Sequence, residues 1–400
     1  FPATIVLVID ESRGADAMLA HSAGVRAIDD LDHPGAHVVC VADSPAETLA
    51  RLVWAQFNVS MPIDSWIETV PTIEEVSSAL ERASATERRA FVLWEPWVSK
   101  AERTAGVATL VDSGDFQGYV IDVLAVSRTF LTENEALVEE LVAAYLRTAY
   151  EIVQKPGALE ALVVADAGAL GAVLDSDQAQ HLAGEIHRKN TLANYAHFGL
   201  LSAVEAKNVV HLEDVIHNLA TLLTSTGALT ENPLAGRESW LFYDGILRRL
   251  RADSFHPGRT VGAVPADLAS DDPIREEVVL RALSESEWKA LIPVGTLRHD
   301  PITFARGTAR LNVSSQRSLA ELAQELATWP HYYLVVAGHA RAEGDAEANR
   351  QLALERAASA RDELIRLGVP TARLQAIARE PARLGGEAQS VAFELRQSAY

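Results

Sequence analysis

GHARAEGDAEANRQLALERA, residues 338–357, changes character at its middle. The seven residues ahead of it, HYYLVVA (331–337), are apolar and β-rich, and read as a strand. From Asn349 onward Ala, Leu, Glu, Gln and Arg dominate, and the spacing predicts a helix over 350–367, stopped by Gly368 and Pro370. Upstream, ITFARGTARL (302–311) reads as a strand and turn. Ser318 and Glu321 read as the capped start of a helix that turns Leu319, Leu322 and Leu326 inward. Strands are predicted near 373–378 and 391–395, the second alternating Val391, Phe393 and Leu395. The order β-α-β-α-β-β predicts an α+β domain over 299–400.

Ile302, Phe304, Gly307 and Leu311, then Gly338, His339, Gly344, Asn349, Leu352, Arg356 and Ala357, fall at the spacings of the OmpA-like peptidoglycan-binding domain, and the region resembles that family. The resemblance implies a clamp for the diaminopimelate of the wall peptide, in which a carboxylate takes the ammonium and a guanidinium takes the carboxylate. Arg356 stands at the guanidinium position, and Asn349 and Arg341 complete the candidate peptidoglycan-binding set. Arg341 stands where the family has the acid, and Ala340 replaces its Thr. Two cations facing a zwitterion leave its ammonium unpaired. An altered, more anionic ligand and a retained scaffold therefore stand beside ordinary wall binding.

In the front half, TIVLVID, HVVCVA, SWIETV, RAFVLW and YVIDVLAV read as strands with helical runs between them, an α/β pattern. Ser44 with Glu47, Thr72 with Glu75, and Thr132 with Glu135 have the spacing of capping boxes. From 132 to about 251 the pattern is helical, with amphipathic runs at 176–188, 212–224 and 238–250. Residues 253–298 are rich in Pro, Gly, Asp and Ser and read as a linker with a short helix near 274–283.

Ser12, Gly14, Ala15 and Asp16, then Asp30, Leu31, Gly35 and Val38, then Trp94, Glu95 and Pro96, form a series. It resembles the ABC-transporter substrate-binding proteins of the nitrate/sulfonate/taurine type, over roughly 1–252. The resemblance implies a two-lobed type 2 periplasmic-binding-protein-like fold, with a second lobe at about 36–115 and a helical remainder at 130–252. Since the chain begins with Phe1 and runs straight into TIVLVID, a targeting segment is expected upstream; for the opening strands of the first lobe two readings stand, that the sequence is a fragment or that this lobe is reduced. The candidate cleft residues are Ser12, Arg13, Asp16, Ser44, Trp94, Glu95 and Asp122. Each has a structural reading beside this one: Ser44 as a helix cap, Ser12–Asp16 as a turn, Trp94 and Glu95 as hinge packing. Asp10, Glu11, Asp16, Asp43, Glu47 and Glu95 near the predicted cleft edges, against Arg13, favour a neutral, zwitterionic or cationic solute.

A formal charge of −20 over 400 residues argues against nucleic acid and anionic membrane as partners. With 48% apolar and 22% charged residues the composition is that of a folded protein, and no apolar run reaches transmembrane length. Cys40, the single cysteine, allows no internal disulfide. The pairs His33/His37 and His211/His217 lack a third ligand at usable spacing, so no metal and no cofactor is expected. With no nucleophile motif or phosphate loop, a non-catalytic protein is expected. The sequence reads as a periplasmic solute-binding protein serving an ABC permease or a sensor, positioned at peptidoglycan by its last domain. The alternative is a structural envelope protein with a degenerate solute-binding half.

Overall fold

The computed structural model describes residues 2–169, 174–202, 209–258, 280–305, 307–326, 329, 331–340, 344–379 and 391–398. The chain is mixed α/β and divides into two compact units. One joins Phe1–Ala15 to Gln117–Glu277, the other Asp16–Phe116 to Val278–Tyr400. In chain order the strands are β1 (Ala3–Ser12), β2 (Asp16–His21), β3 (His37–Val41), β4 (Ile67–Val70), β5 (Arg89–Trp94) and β6 (Val107–Asp112). There follow β7 (Ile121–Ser127), β8 (Ile186–Arg188), β9 (Ile292–Thr296), β10 (Tyr333–His339), β11 (Leu374–Arg379) and β12 (Val391–Gln397).

The first unit is built on an antiparallel sheet of order β7-β1-β8. Val6, Leu7 and Val8 of β1 are all fully buried, so helices cover both faces of this strand. Val138, Val142 and Leu146 of helix Glu135–Val153 join this core, with Leu212, Ile246 and Leu247. Buried Asn194, on helix Thr191–His197, accepts the Val8 N–H at 2.8 Å and donates to the Val8 carbonyl at 3.0 Å, satisfying the backbone beside an irregularity in the β1–β7 register. The run read as helix over 176–188 is a helix only at Ser176–Gly184, after which β8 pairs with β1. The expected cap at Thr132 is absent. Ser127 caps Arg128–Glu133, the chain breaks at Asn134, and the Thr132 hydroxyl turns back to the Arg128 carbonyl.

The second unit holds two sheets. The first, of order β4-β3-β5-β2-β6, has β3 parallel to β4 and β5, with β2 antiparallel to β5 and β6. Because β2 belongs to it, this lobe opens at Asp16 and not at about 36. Ser44 and Thr72 cap helices Pro45–Gln56 and Ile73–Arg82 as expected. The second sheet, of order β11-β10-β12-β9, carries helices Val313–Glu325 and Ala346–Arg366. The expected order β-α-β-α-β-β is present, but its first strand is β9, inside the stretch read as linker. Phe304 and Leu311 form only an isolated bridge, with Gly307 turning between them at φ +70°. The helix after it starts at Asn312, whose Oδ1 accepts the Ser315 N–H, while Ser318 sits mid-helix against the Ser314 carbonyl. Most of the helix expected near 274–283 lies outside the described residues.

Candidate functional site

Antiparallel pairing sets Glu11 opposite His187, and the ladder continues as the Lys189 N–H donates to the Ile9 carbonyl at 2.9 Å. Side chains alternate along a strand, so Glu11 and Arg13 share a sheet face with His187 and Lys189. Gly14 then turns the chain at φ +122°, where a Cβ would come within 3.0 Å of the Glu185 carboxylate. On this face the Glu11 Oε2 accepts from the Lys189 Nζ at 2.5 Å and the Arg13 Nη2 at 3.2 Å, and its Oε1 accepts the Gly118 N–H at 2.7 Å. Glu11 and Lys189 are 4% and 6% exposed. Burial works against ionisation of Glu11, but Lys189, Arg13 and the Gly118 N–H outweigh it and hold the carboxyl at about 2.

These groups line a cavity of about 310 Å³. Its apolar wall is Leu146, Tyr150, Val153, Val209, Val210 and Pro257, and Gln117, Asn190, Thr191 and His197 complete the polar side. Burial, with Arg13 and Lys189 adding to it, pushes His187 down to about 4. Burial pushes His197 to about 4 as well, and its Nδ1 lies 2.8 Å from the Val210 carbonyl, so both imidazoles are neutral at pH 7. The Thr191 hydroxyl and the His187 Nδ1 are buried without a hydrogen-bond partner among the described residues. Buried polar groups are normally paired, so these two stand out in the lining.

Of the sequence-selected cleft residues, Arg13 lines this cavity and Ser12 adjoins it, its N–H bound to the Val120 carbonyl. Asp122 pairs across the ladder with Asp10 and is not among the cavity's lining residues. Asp16, Ser44, Trp94 and Glu95 belong to the second unit. There the Asp16 N–H donates to the Ser113 Oγ, Ser44 caps its helix and donates to the Val41 carbonyl, Trp94 ends β5, and Glu95 accepts the Ser99 N–H and hydroxyl. The charge tally behind a neutral, zwitterionic or cationic solute does not describe this cavity. Glu47 is spent on Arg51 and the Asp43 N–H, and the lining sets Lys189, 178 residues from Glu11, beside Arg13 and Arg188, with Glu11 the carboxylate among them. No local motif signals Lys189. Only the β1–β8 pairing brings it to Glu11.

In the wall-type motif Arg341 lies outside the described residues. Asn349 is half-buried on helix Ala346–Arg366. Arg356 is 5% exposed; its guanidinium lies over the Phe304 ring and its Nε–H donates to the Thr308 carbonyl at 3.0 Å. The motif's Gly338 is explained by packing, because a Cβ there would sit 2.0 Å from the Ala353 carbonyl oxygen.

A seam inside the second unit joins the β2–β6 lobe to the last domain. Phe57 and Leu297 form an antiparallel bridge, the Asn58 N–H meets the Thr296 carbonyl at 2.8 Å, and the Arg298 N–H meets that of Gln56 at 2.8 Å. The Asp29 carboxylate takes both the N–H and hydroxyl of Thr296, and the Arg298 guanidinium covers Trp54. Phe57, Phe116, Trp329 and Tyr332 are at most 2% exposed. Beneath them Asp115 is buried, and burial with neighbouring Asp112 raises its carboxyl well above the usual range.

Residues 303–387 match the model of the OmpA family. Over 78 residues the chain is 40% identical to a peptidoglycan-associated lipoprotein of Mesorhizobium japonicum, a match covering 20% of this chain and 46% of that one. The corresponding lipoprotein of Brucella melitensis is 37% identical over 78 residues with the same coverage. The chain spans just under half the length of these curated relatives. Among solved structures it is similar to the alkanesulfonate-binding protein SsuA from Xanthomonas axonopodis pv. citri bound to MOPS. That likeness has a TM-score of 0.41 at 17% identity and covers 59% of this chain and 73% of that one. Among the described residues, no helix is long and apolar enough to cross a membrane.

Proposed function

We propose that this chain is an extracytoplasmic solute-binding protein whose pocket holds a small organic acid and whose OmpA-like domain associates with the cell wall. One observation carries the solute reading: a largely apolar cavity on whose face Lys189 and Arg13 meet the Glu11 carboxylate, beside two buried polar atoms that lack partners among the described residues. Cavities of a few hundred Å³ with an apolar wall and a few convergent polar groups are the usual form of a small-molecule site. The acid group would face Lys189 and Arg13, and the body would lie against Leu146, Tyr150 and Val210. The bound solute would be passed to an ABC importer or read by a sensor.

The test is calorimetry of the full chain against a panel of organic carboxylates and sulfonates. Micromolar binding of at least one acid, lost in Lys189→Met, is the expected result. No binding across the panel would leave the structural envelope role as the better reading. Wall association is tested separately by co-sedimentation with purified peptidoglycan. Retention that falls in Arg356→Ala is expected of a working clamp. Binding that arises only in Arg341→Asp would identify the domain as a scaffold whose clamp lost its acid.

A further inference from the structure

Glu11 touches both Lys189 and Arg13 of the pocket face, and it does so from within the protein. Its Oε2 holds the Lys189 Nζ at 2.5 Å and the Arg13 Nη2 at 3.2 Å. Its Oε1 is occupied by the Gly118 N–H at 2.7 Å. A carboxylate with these partners stands where the acid group of a solute would otherwise sit. We infer that Glu11 is a resident counter-ion that excludes inorganic anions from the pocket and so sets its specificity for acids with an apolar body. The inference rests on the reading of this cavity as the solute site.

Sulfate and phosphate offer charge and hydrogen-bond acceptors but no apolar body. To reach Lys189 they must displace a tethered carboxylate that has no translational freedom to lose. An organic acid also buries its body against Leu146, Tyr150 and Val210, and that contact is the surplus that lets it compete. Specificity of this kind comes from a built-in penalty on the unwanted ligand as much as from attraction to the wanted one.

Thermal shift and calorimetry with sodium sulfate, against sodium chloride at matched ionic strength, test the role on the full chain. The parent is expected to show no sulfate-specific response. Glu11→Gln is expected to bind sulfate at least about tenfold more tightly than the parent, because the two cations then lack their counter-ion. Lys189→Met added to Glu11→Gln should abolish that gain. Glu11→Asp keeps the charge and the fold but draws the carboxylate back by one methylene, so an intermediate gain is expected even where Glu11→Gln does not fold in chloride. Equal sulfate responses in the parent, Glu11→Gln and Glu11→Asp would overturn the inference. If organic acids bind the parent while sulfate responses stay equal, the counter-ion role falls and the solute reading stands. If no organic acid binds but Glu11→Gln gains sulfate, Glu11 excludes inorganic anions, and the specificity for organic acids falls together with the solute reading.

Discussion

The Trp329 indole lies nearly parallel to the Phe57 ring, with centroids 6.4 Å apart and planes 10° from each other, and it meets Phe116 edge-on at 6.1 Å. Phe57 and Phe116 come from the β2–β6 lobe, and Trp329 from the wall-type domain. The two share a core and the backbone hydrogen bonds of a sheet edge, so the domain is built into the lobe and not hung from it on a free linker.

Trp329→Ala removes the central ring of this seam. Aromatic-to-alanine changes in a core cost about 3–5 kcal/mol, through lost burial and the cavity left behind. In urea melts of the full chain the parent should lose the lobe and the wall-type domain in one transition. The variant should lose them earlier and in two steps. A variant midpoint equal to the parent's would show that the seam contributes little.

Gly338→Ala tests a motif position by packing alone. The added methyl would meet the Ala353 carbonyl of helix Ala346–Arg366, a backbone atom that cannot swing aside. A loss at the upper end of the overpacking range, about 3 kcal/mol, is expected. It should appear in the wall-type domain with no change in solute binding. Gly344→Ala, with only the end of Asn349 3.6 Å away but φ at +97°, should cost less, about 1 kcal/mol.

These positions show what a sequence can and cannot disclose. Gly338 and the helix after it were legible because strand, turn and helix are contiguous and each leaves a local periodicity. Ser44 was legible as a cap, and a cap is what it is. The Ser318 start was misread because Asn312, six residues earlier, offers the same side-chain chemistry with nothing local to rank the two. Lys189 and the seam were illegible for another reason. Lys189 follows a three-residue strand too short to carry a pattern, and Phe57 and Trp329 resemble any buried aromatic until the fold stacks them. Charge counted along the chain therefore missed Lys189 at this cavity.

Asp10 faces Asp122 across the β1–β7 ladder, and burial first, then Asp122, raises its carboxyl to about 6. A folded-state value above the unfolded 3.8 means that the native protein holds this proton more tightly than the unfolded chain does. Asp10 is thus best tolerated when protonated, and its contribution to stability falls as pH rises from about 4 through 6. Asp10→Asn should raise the melting temperature at pH 7.5, leave it nearly unchanged near pH 4, and flatten the slope between. Glu11 works in the opposite direction: its value near 2 lends stability above about 4.5 that is lost as the medium becomes more acid.

Arg373 is 6% exposed, and its guanidinium donates to three main-chain carbonyls, those of Tyr332 at 2.6 Å, Leu326 at 2.7 Å and Trp329. Burial draws it down to about 10, which still leaves it charged at neutral pH. The carbonyls lie at and beyond the end of helix Val313–Glu325, where partial negative charge gathers and a cation is favoured. Arg373 therefore fixes the segment that carries Trp329 and Tyr332 into the seam. Hydrogen bonds to a charged group are worth about 1.5–3 kcal/mol each, so Arg373→Met, which removes the guanidinium from all three carbonyls and leaves that of Leu326 only the Trp329 N–H at 3.3 Å, should cost at least about 3 kcal/mol. Arg373→Lys should recover only part of this, because one ammonium on a flexible stem cannot serve three acceptors set for a planar fork. Urea melts of both variants beside Trp329→Ala decide whether Arg373 acts through the seam. If it does, Arg373→Met in the Trp329→Ala background should cost clearly less than in the parent, and strictly additive losses would place its effect elsewhere.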